Sequence, residues 1–383
     1  MKQLTHLLLL IAILGVSCKT TKQAYEKGDY ETAVFNSIER LRKSPKNKKS
    51  RQTLHLAYPT LVDELENRID LQKRGSDPLK WEFVAKDYKL LNRVYSEIRR
   101  SPAAMEVIPN PINFTNEYNQ TIINAADARY ALGMKELNKG RNGDREASKQ
   151  AYTHFQKAQD WQHGFRDAEA LQTEAQDLAT IIIEIAPIPM HSRTFELTNE
   201  FFESQLSEYI ATAPLSPFVR FFTPEQTSRM SREPDQILKM QFDDFVVGQA
   251  YVKETVLQRK KEDVVVGEVQ VTEDSVADVY GDVEAEVHRF HKEISSSGLL
   301  DVQIIDNHSG SLMSQRKFPG TFVWVDRWGY FNGDKRALES EDQTYCRKRN
   351  EAPAPPPQDL FIEFTKPIFS QVTGFVSDYY RGY

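Results

Sequence analysis

The chain has 383 residues, of which 40% are hydrophobic and 27% are charged, and its net charge at pH 7 is −6. This composition can fill buried cores, and the length predicts two domains or more. The negative charge argues against a nucleic-acid partner, because such a partner would require a basic face on the protein.

The N-terminus has the pattern of an export signal. One positive charge precedes an apolar run at 7–16, which is too short to cross the ~30 Å hydrocarbon core of a membrane as a helix. The run ends in LGVSC, which resembles a lipobox, although a strict lipobox has a branched apolar residue where this chain has Gly15. We therefore predict a signal peptide at 1–17 and a membrane anchor formed by lipid on Cys18. An ordinary signal peptide with an incidental cysteine is the alternative.

The segment after Cys18 bears on where the lipid would hold the protein. It contains neither the aspartate that retains enteric lipoproteins in the inner membrane nor an acidic cluster resembling a surface-export signal. We therefore expect a protein anchored in the outer membrane and facing the periplasm, and several acyl chains would make that anchoring stable. Acylation leaves Cys346 without an intramolecular partner, so the sequence predicts no disulfide.

Residues 18–178 are predicted to form a helical domain. Residues 24–47 resemble a tetratricopeptide repeat, which is a helix-turn-helix unit of 34 residues. Gly28 and Asp29 fit the turn of the repeat, and Tyr30 opens its second helix. Repeat arrays commonly bind other proteins on a concave surface, so Tyr30 is a candidate for a protein contact.

A second match to the repeat is carried by Ala151, Phe155 and Ala158, which reproduce the family's Ala-x3-Phe-x2-Ala pattern. The small residues let two helices approach, and the phenylalanine fills the space between them. Tyr130, on the first helix of this unit, is a second candidate for a protein contact. An insertion at 138–146 departs from the family spacing and predicts a long or flexible turn.

Two longer helical patterns, at 50–72 and 78–99, lie between these matches. Neither pattern has the small residues of the repeat, so the array is degenerate. An ordinary bundle of amphipathic helices is therefore the alternative to stacked repeats.

At residue 179 the spacing of apolar residues changes, and residues 179–350 are predicted to form an α/β domain. A strand, a helix and a second strand follow in that order, which favours a mixed sheet with a parallel portion. The predicted strands are 179–189, 218–222, 238–248, 249–260, 264–272, 279–294, 299–306 and 311–318, and the helix is 195–209. The segments Ser295–Gly298 and Asn307–Gly310 have the composition of hairpin turns.

This order of elements resembles the periplasmic α/β domain of the curli-secretion lipoproteins and of related envelope lipoproteins. In that family a strand ending in glycine precedes a hairpin of the form Val-x-Ile-x-Asp-x3-Gly. The comparable segments of this chain are FVVG at 245–248 and VQIIDNHSG at 302–310. The resemblance implies a role in envelope assembly or secretion, and it carries over neither a catalytic motif nor a pore-forming role.

The last predicted unit is 351–383, a proline-rich connector followed by a C-terminal helix. The apolar residues of this helix have helical spacing and form one face, which is interrupted at Pro367, where we expect a kink or a fresh start. They are Phe361, Phe364, Ile368, Val372, Phe375 and Tyr379. We expect this face to pack on the sheet, and docking on a membrane or a partner is the alternative.

The sequence contains no phosphate-binding glycine loop and no serine-hydrolase or zinc-protease motif. His288 and His291 form an H-x2-H pair, but residues three apart on a strand face opposite sides and cannot share a metal. The acids Asp282, Glu284 and Glu286 share one strand face, which favours a solvated surface over a general acid–base site. We therefore predict no enzyme activity, no cofactor and no metal site.

Two further features are candidates for recognition or modification. Trp324, Trp328 and Tyr330 belong to an aromatic cluster that fits a core and a protein-binding surface equally well. Ser275, in the tripeptide DSV, resembles an O-glycosylation acceptor of envelope-rich Gram-negative bacteria.

These features together predict a non-enzymatic envelope scaffold, in which the repeats bind another envelope protein and the α/β domain takes part in assembly or secretion. The main alternative is a glycan- or peptidoglycan-binding lipoprotein, and the third is a hydrolase whose site is assembled from distant residues. An exposed tryptophan pair would favour glycan binding, an apolar groove along the helices would favour protein binding, and a cleft lined by acids with shifted pKa values would favour the hydrolase.

Overall fold

The computed structural model describes residues 21–189, 199–213, 215–272 and 275–383. The chain divides into two compact units, one ending at Ala179 and one beginning at Thr180. Helices and a mixed sheet are both present, as the sequence predicts. The predicted signal peptide and Cys18 lie outside the described residues. Within those ranges, no helix has both the length and the hydropathy to cross a membrane.

The first unit is helical throughout its described part. Its helices are α1 (Thr21–Glu26), α2 (Tyr30–Lys43), α3 (Lys48–Arg74), α4 (Lys80–Arg99), α5 (Pro102–Met105), α6 (Thr115–Arg141), α7 (Arg145–Trp161) and α8 (Ala168–Ala179). Four of them begin after a side chain that caps the helix: Asp29, Asn47, Ser101 and Asp144 each accept a hydrogen bond from a backbone N–H of the first turn.

The turn between α6 and α7 is tight, so the predicted long or flexible turn at 138–146 is wrong. Helix α6 continues to Arg141, and Asp144 already caps α7. Gly143 sits between them with a φ of 96°, a conformation that glycine adopts without strain. The glycine that looks like part of a flexible loop is therefore the residue that closes a short turn.

Helices α6 and α7 pack closely because small residues face each other. A methyl group added at Gly133 would lie 2.7 Å from the Phe155 ring, so the ring occupies the space that the glycine leaves free. Ala151 and Ala158 are fully buried beside it. The predicted role of these residues in helix packing agrees with their burial.

A polar cluster also links three helices of the first unit. The Arg129 guanidinium of α6 donates two hydrogen bonds to the Glu82 carboxylate of α4, at 2.6 and 2.9 Å. The Trp161 indole of α7 donates to the same carboxylate at 2.8 Å. Burial acts to raise the pKa of Glu82, but these hydrogen bonds lower it on balance. The cluster pairs its charges and holds the helices in register.

The second unit is built on a five-stranded sheet with the order β2-β1-β3-β4-β5 among the described residues. Strand β1 is parallel to β2 and to β3, and β3, β4 and β5 are antiparallel. The strands are β1 (Ile181–Ile185), β2 (Val219–Phe222), β3 (Gln236–Thr272), β4 (Ser275–Asp306) and β5 (Leu312–Gly333). The helices are α9 (Glu200–Thr212), α10 (Pro224–Thr227), α11 (Ser340–Tyr345) and α12 (Pro357–Tyr380), with a 3-10 turn at Lys335–Ala337.

The three antiparallel strands are longer than predicted. The segments 249–260 and 264–272 belong to one strand, β3, and the break between them is a β-bulge with Asp263 at a φ of 54°. The predicted hairpin at Ser295–Gly298 is also wrong, because these residues lie inside β4. The predicted hairpin at Asn307–Gly310 does connect β4 to β5.

The small residues inside β4 and β5 make room for α12. A methyl group at Gly298 would lie 2.5 Å from the Phe364 ring, and one at Gly320 would lie 2.2 Å from the Phe364 carbonyl oxygen. Ser296 is buried beside them. Glycine inside a strand often marks such a close approach, which explains why this stretch has a turn-like composition without being a turn.

Helix α12 packs on the sheet as predicted, but it runs through Pro367 without a fresh start. Its buried residues are Leu360, Phe361, Phe364, Thr365, Ile368, Val372, Val376 and Tyr380. Phe375 and Tyr379 are only partly buried, so the predicted face is correct up to Val372 and then shifts by one residue. Steps of four residues continue the buried face from that point.

Candidate functional site

Strands β3 and β4 extend beyond α12 as an antiparallel pair, which we call the ribbon (residues 249–272 and 275–295). At ~3.3 Å per residue, the ribbon is at most roughly 80 Å long. Strand β5 follows it as far as the pair Ala285–Gly333. The tip, residues 264–272 and 275–281, therefore consists of two strands only.

One face of the tip is uncharged. Residues opposite each other on paired strands share a face, and the pairs Val264–Gly281 and Val269–Ala277 lie on this one. We call it the valine face, and it contains Val264, Val266, Val269, Ala277, Val279 and Gly281. Val269 is 52% exposed and Val279 is 41% exposed.

The opposite face of the tip is mixed. The acids Glu268 and Asp278 are paired across the two strands, and Gln270 is paired with Val276. Tyr280 is also exposed on this side. The valine face is therefore uncharged, whereas the opposite face carries two acids together with exposed apolar residues, among them Val265 and Val276.

The predicted aromatic residues lie on one face of β5, where the ribbon has three strands. The Phe290 ring is stacked on Trp328 at 5.2 Å, and the His288 ring is stacked on Tyr330 at 4.5 Å. Trp328 is buried at 8% exposure, Trp324 is half-buried against the core below α12, and Tyr330 is 38% exposed. The cluster is thus mainly core, and it does not offer the exposed tryptophan pair expected of a glycan platform.

His288 lies between two carboxylates. Its Nδ1 is 2.8 Å from Glu254 Oε1, and its Nε2 is 3.1 Å from Glu286 Oε1. Hydrogen bonds to Glu254 and Glu286 raise the pKa of His288, and the bond to His288 lowers the pKa of Glu286. His291 is three residues along the strand and so faces the opposite side, and no group of three potential metal ligands occurs in the described ranges.

A buried carboxylate, which the sequence does not reveal, fixes the segment after β5 to the ribbon. Asp342 is fully buried and accepts hydrogen bonds from Arg259 Nε and Arg289 Nε, each at 2.8 Å. Burial acts to raise the pKa of Asp342, but hydrogen bonds from Arg259, the Glu339 backbone and Arg289 lower it on balance. Beside this contact, Ala337 and Leu338 cover the buried side chains of Val283, Ala285 and Val287.

Two of the remaining predicted site residues belong to the first unit, and the third belongs to the second. Tyr30 is half-buried and packs on Tyr25, with ring centroids 5.5 Å apart. Tyr130 is also half-buried, and its hydroxyl donates to Asp167 Oδ1 at 2.7 Å. These two tyrosines belong to different cores of the first unit. Ser275 is exposed and is the first residue of β4, at the tip of the ribbon.

The first unit has a cavity of about 420 Å³ on α3 and α4. It is lined by Asp63, Glu66, Asp70 and Tyr88, among others, so it is polar and differs from the apolar groove expected of a protein-binding array.

No family model matches the chain, and no curated protein matches it. Among solved structures, a Helicobacter pylori protein described as a homologue of a neuraminyllactose-binding hemagglutinin aligns with 52% of this chain and 84% of its own length. The sequence identity is 9% and the TM-score is 0.23. A score this low does not establish a shared fold.

Proposed function

We propose that this protein is a lipid-anchored envelope scaffold that binds other proteins and catalyses no reaction. The observation that carries the proposal is the valine face at the tip of the ribbon. Valines exposed singly are common on soluble proteins, but a continuous apolar face usually marks an interaction surface. Covering that face would stabilise a complex by roughly 25 cal/mol for each Å² of apolar surface removed from water.

The backbone of the ribbon supports the same proposal. Beyond Leu238, strand β3 pairs with β4 alone among the described residues, so its other edge has free hydrogen-bonding groups along most of its length. Several β-bulges along β3 interrupt that edge and limit pairing with arbitrary strands. Such an edge favours a specific partner over indiscriminate aggregation.

The anchor and the helical unit complete the proposed scaffold. Lipid on Cys18 would hold the chain in the outer membrane with both units in the periplasm. The close contact of Gly133 with Phe155 supports a tetratricopeptide-like pairing of α6 and α7. In that arrangement Tyr30 and Tyr130 would be protein contacts at the exposed parts of their rings, and Ser275 would be an acceptor for glycosylation.

The proposal is tested by photo-crosslinking in cells. A photoreactive amino acid replaces Val269 or Val279, and a matched control places it at Gln270, which is on the other face of the same tip. We expect a discrete protein adduct from the two valine positions and little from the control. Equal adducts from all three positions, or none from the valines, would contradict a protein-binding valine face.

The anchor is tested separately. The mass of the mature protein should show acylation of an N-terminal Cys18, and Cys18→Ser should release the protein from the membrane fraction. An unmodified thiol on the mature protein would refute the lipid anchor without bearing on the valine face.

A further inference from the structure

A cleft of about 490 Å³ lies between α9 and β2, the last strand on its side of the sheet among the described residues. All four residues of β2 line the cleft. Neighbouring residues of a strand point to opposite faces, so a lining that includes all four fits a cleft that runs along the edge of the strand.

Among the described residues, no strand pairs with the outer edge of β2. The Ile181 N–H donates to the Phe218 carbonyl oxygen at 2.9 Å, and alternation along the parallel ladder then directs Arg220 and Phe222 toward β1. Val219 and Phe221 are directed outward. The Val219 N–H already donates a hydrogen bond to the Ser216 carbonyl oxygen at 3.1 Å. The N–H and C=O of Phe221 therefore face the cleft.

The walls of the cleft are mainly apolar. Ile210 and Ala211 of α9 form one side, and Ile185 and Leu215 close the cleft at other points. A second cavity of about 240 Å³ adjoins it and shares Ile185 with it. The two cavities together give room for a chain longer than a single residue.

One positively charged side chain at the cleft has no ion-pair partner among the described residues. Arg220 is exposed, lines the cleft and forms no ion pair with another described residue. A guanidinium group prefers a carboxylate, which it can bind through two parallel hydrogen bonds. The cleft therefore combines a free strand edge, apolar walls and one binding group for an anion.

We infer that this cleft binds an extended peptide segment, which adds a strand to β2 and places a carboxylate on Arg220. Strand addition draws affinity from backbone hydrogen bonds and specificity from pockets for alternate side chains. The four-residue length of β2 suits a segment of about five residues. This site is separate from the valine face, so it goes beyond the function proposed above.

The test uses the full mature chain with Cys18→Ser and three probes. The first is acetyl-Val-Thr-Val-Thr-Val with a free carboxylate, the second is its C-terminal amide, and the third has an N-methyl group on the central valine. Backbone amide NMR shifts locate the binding, and titration gives the affinity. We expect the Phe221 amide to shift with the first peptide, and the amide and N-methyl probes to bind roughly tenfold more weakly or worse.

Arg220→Gln is the matched protein variant, because it removes the charge and keeps a polar, hydrogen-bonding side chain at the same position. It should reduce the affinity for the free-carboxylate peptide to that for the amide, with no change in the affinity for the amide. The inference is overturned by no shift at millimolar peptide, by shifts confined to the ribbon, or by equal affinity of the N-methyl probe. Val269→Glu should leave the peptide affinity unchanged, which separates this site from the valine face.

Discussion

The same strands behave differently under α12 and in the ribbon. Below the helix, Leu300, Val302 and Ile304 of β4 alternate with polar residues and are fully buried. In the ribbon, Val269 and Val279 also alternate with polar residues, yet about half of each side chain is in water. Alternation therefore determines which side chains share a face of a strand, and a second element determines whether that face becomes a core.

Glycines distinguish the two regions. Gly298 and Gly320 lie directly below Phe364, where any larger residue would collide with α12. Gly267 of the ribbon has no atom within 4 Å of the position where a methyl group would be added. The glycines under α12 lie where the helix approaches the sheet closely, whereas Gly267 of the ribbon lies where no other element approaches.

The largest expected effect is the loss of a ring from the covered part. Phe364→Ala removes a fully buried ring that packs on Gly298, and it should reduce the free energy of unfolding by roughly 3–5 kcal/mol. Val279→Ala in the ribbon is the control and should cost less than about 0.5 kcal/mol, as surface substitutions usually do. Urea unfolding followed by circular dichroism measures both, and equal costs would show that the ribbon is also part of a core.

A second comparison uses the glycines themselves. Gly320→Ala places a methyl group against the backbone of α12 and should cost roughly 1–3 kcal/mol. Gly267→Ala meets no neighbour, so it should be neutral or should stabilise by up to about 1 kcal/mol through the unfolded state. The order of the two unfolding midpoints is the measurement. A neutral Gly320→Ala would mean that α12 does not sit this closely on the sheet.

Phe375→Ala should have an intermediate effect. The apolar spacing alone places Phe375 on the buried face, which predicts a cost as large as that of Phe364→Ala. In the structure Phe375 is partly buried and packs at 5.6 Å on Phe318, so we expect roughly 1–3 kcal/mol. Comparing Phe364→Ala and Phe375→Ala in one urea series checks the rotation of α12, and equal costs would restore the face predicted from spacing.

Much of the covered region could be predicted from the sequence. The helical spacing from Phe361 to Val372 indicates a helix that packs on the sheet, and the composition at Asn307–Gly310 indicates the hairpin turn that connects β4 to β5. The segment Ser295–Gly298 has a similar composition for a different reason, because its small residues accommodate α12. Composition cannot separate a turn from a close approach, since both require small residues.

The candidate binding surface was less predictable than the fold. An apolar strand face is exposed only where no second element covers it, and the sequence of the strand does not show whether such an element is present. The sequence groups Trp324, Trp328 and Tyr330 in one aromatic cluster, but it does not reveal that they share a face of β5 or that Trp328 is buried. The valine face has the same pattern as a core strand. Asp342 gave no signal, because its partners Arg259 and Arg289 are distant in sequence and are brought to it by strand pairing.

The smallest expected effect is a pH dependence within the ribbon. Hydrogen bonds to Glu254 and Glu286 raise the pKa of His288 in the folded chain above its unfolded value of about 6.5. Below pH 6.5 the imidazole is protonated in both states, so the interaction with the carboxylates is fully present. As the pH rises through the folded pKa, the proton is lost and the contribution to stability disappears.

NMR titration of the imidazole measures this shift directly. We expect the pKa of His288 to lie above 6.5 and to move down toward that value in Glu254→Gln and, separately, in Glu286→Gln. His291 lies on the other face of β4, where its Nε2 is 2.9 Å from Glu293, so neither substituted carboxylate contacts it. Because His288 is close to solvent, the shift should shrink as salt is added. A pKa at or below 6.5 that is insensitive to both variants would show that the two carboxylates do not hold the imidazole. His288 would then be held in place by its stacking on the Tyr330 ring alone.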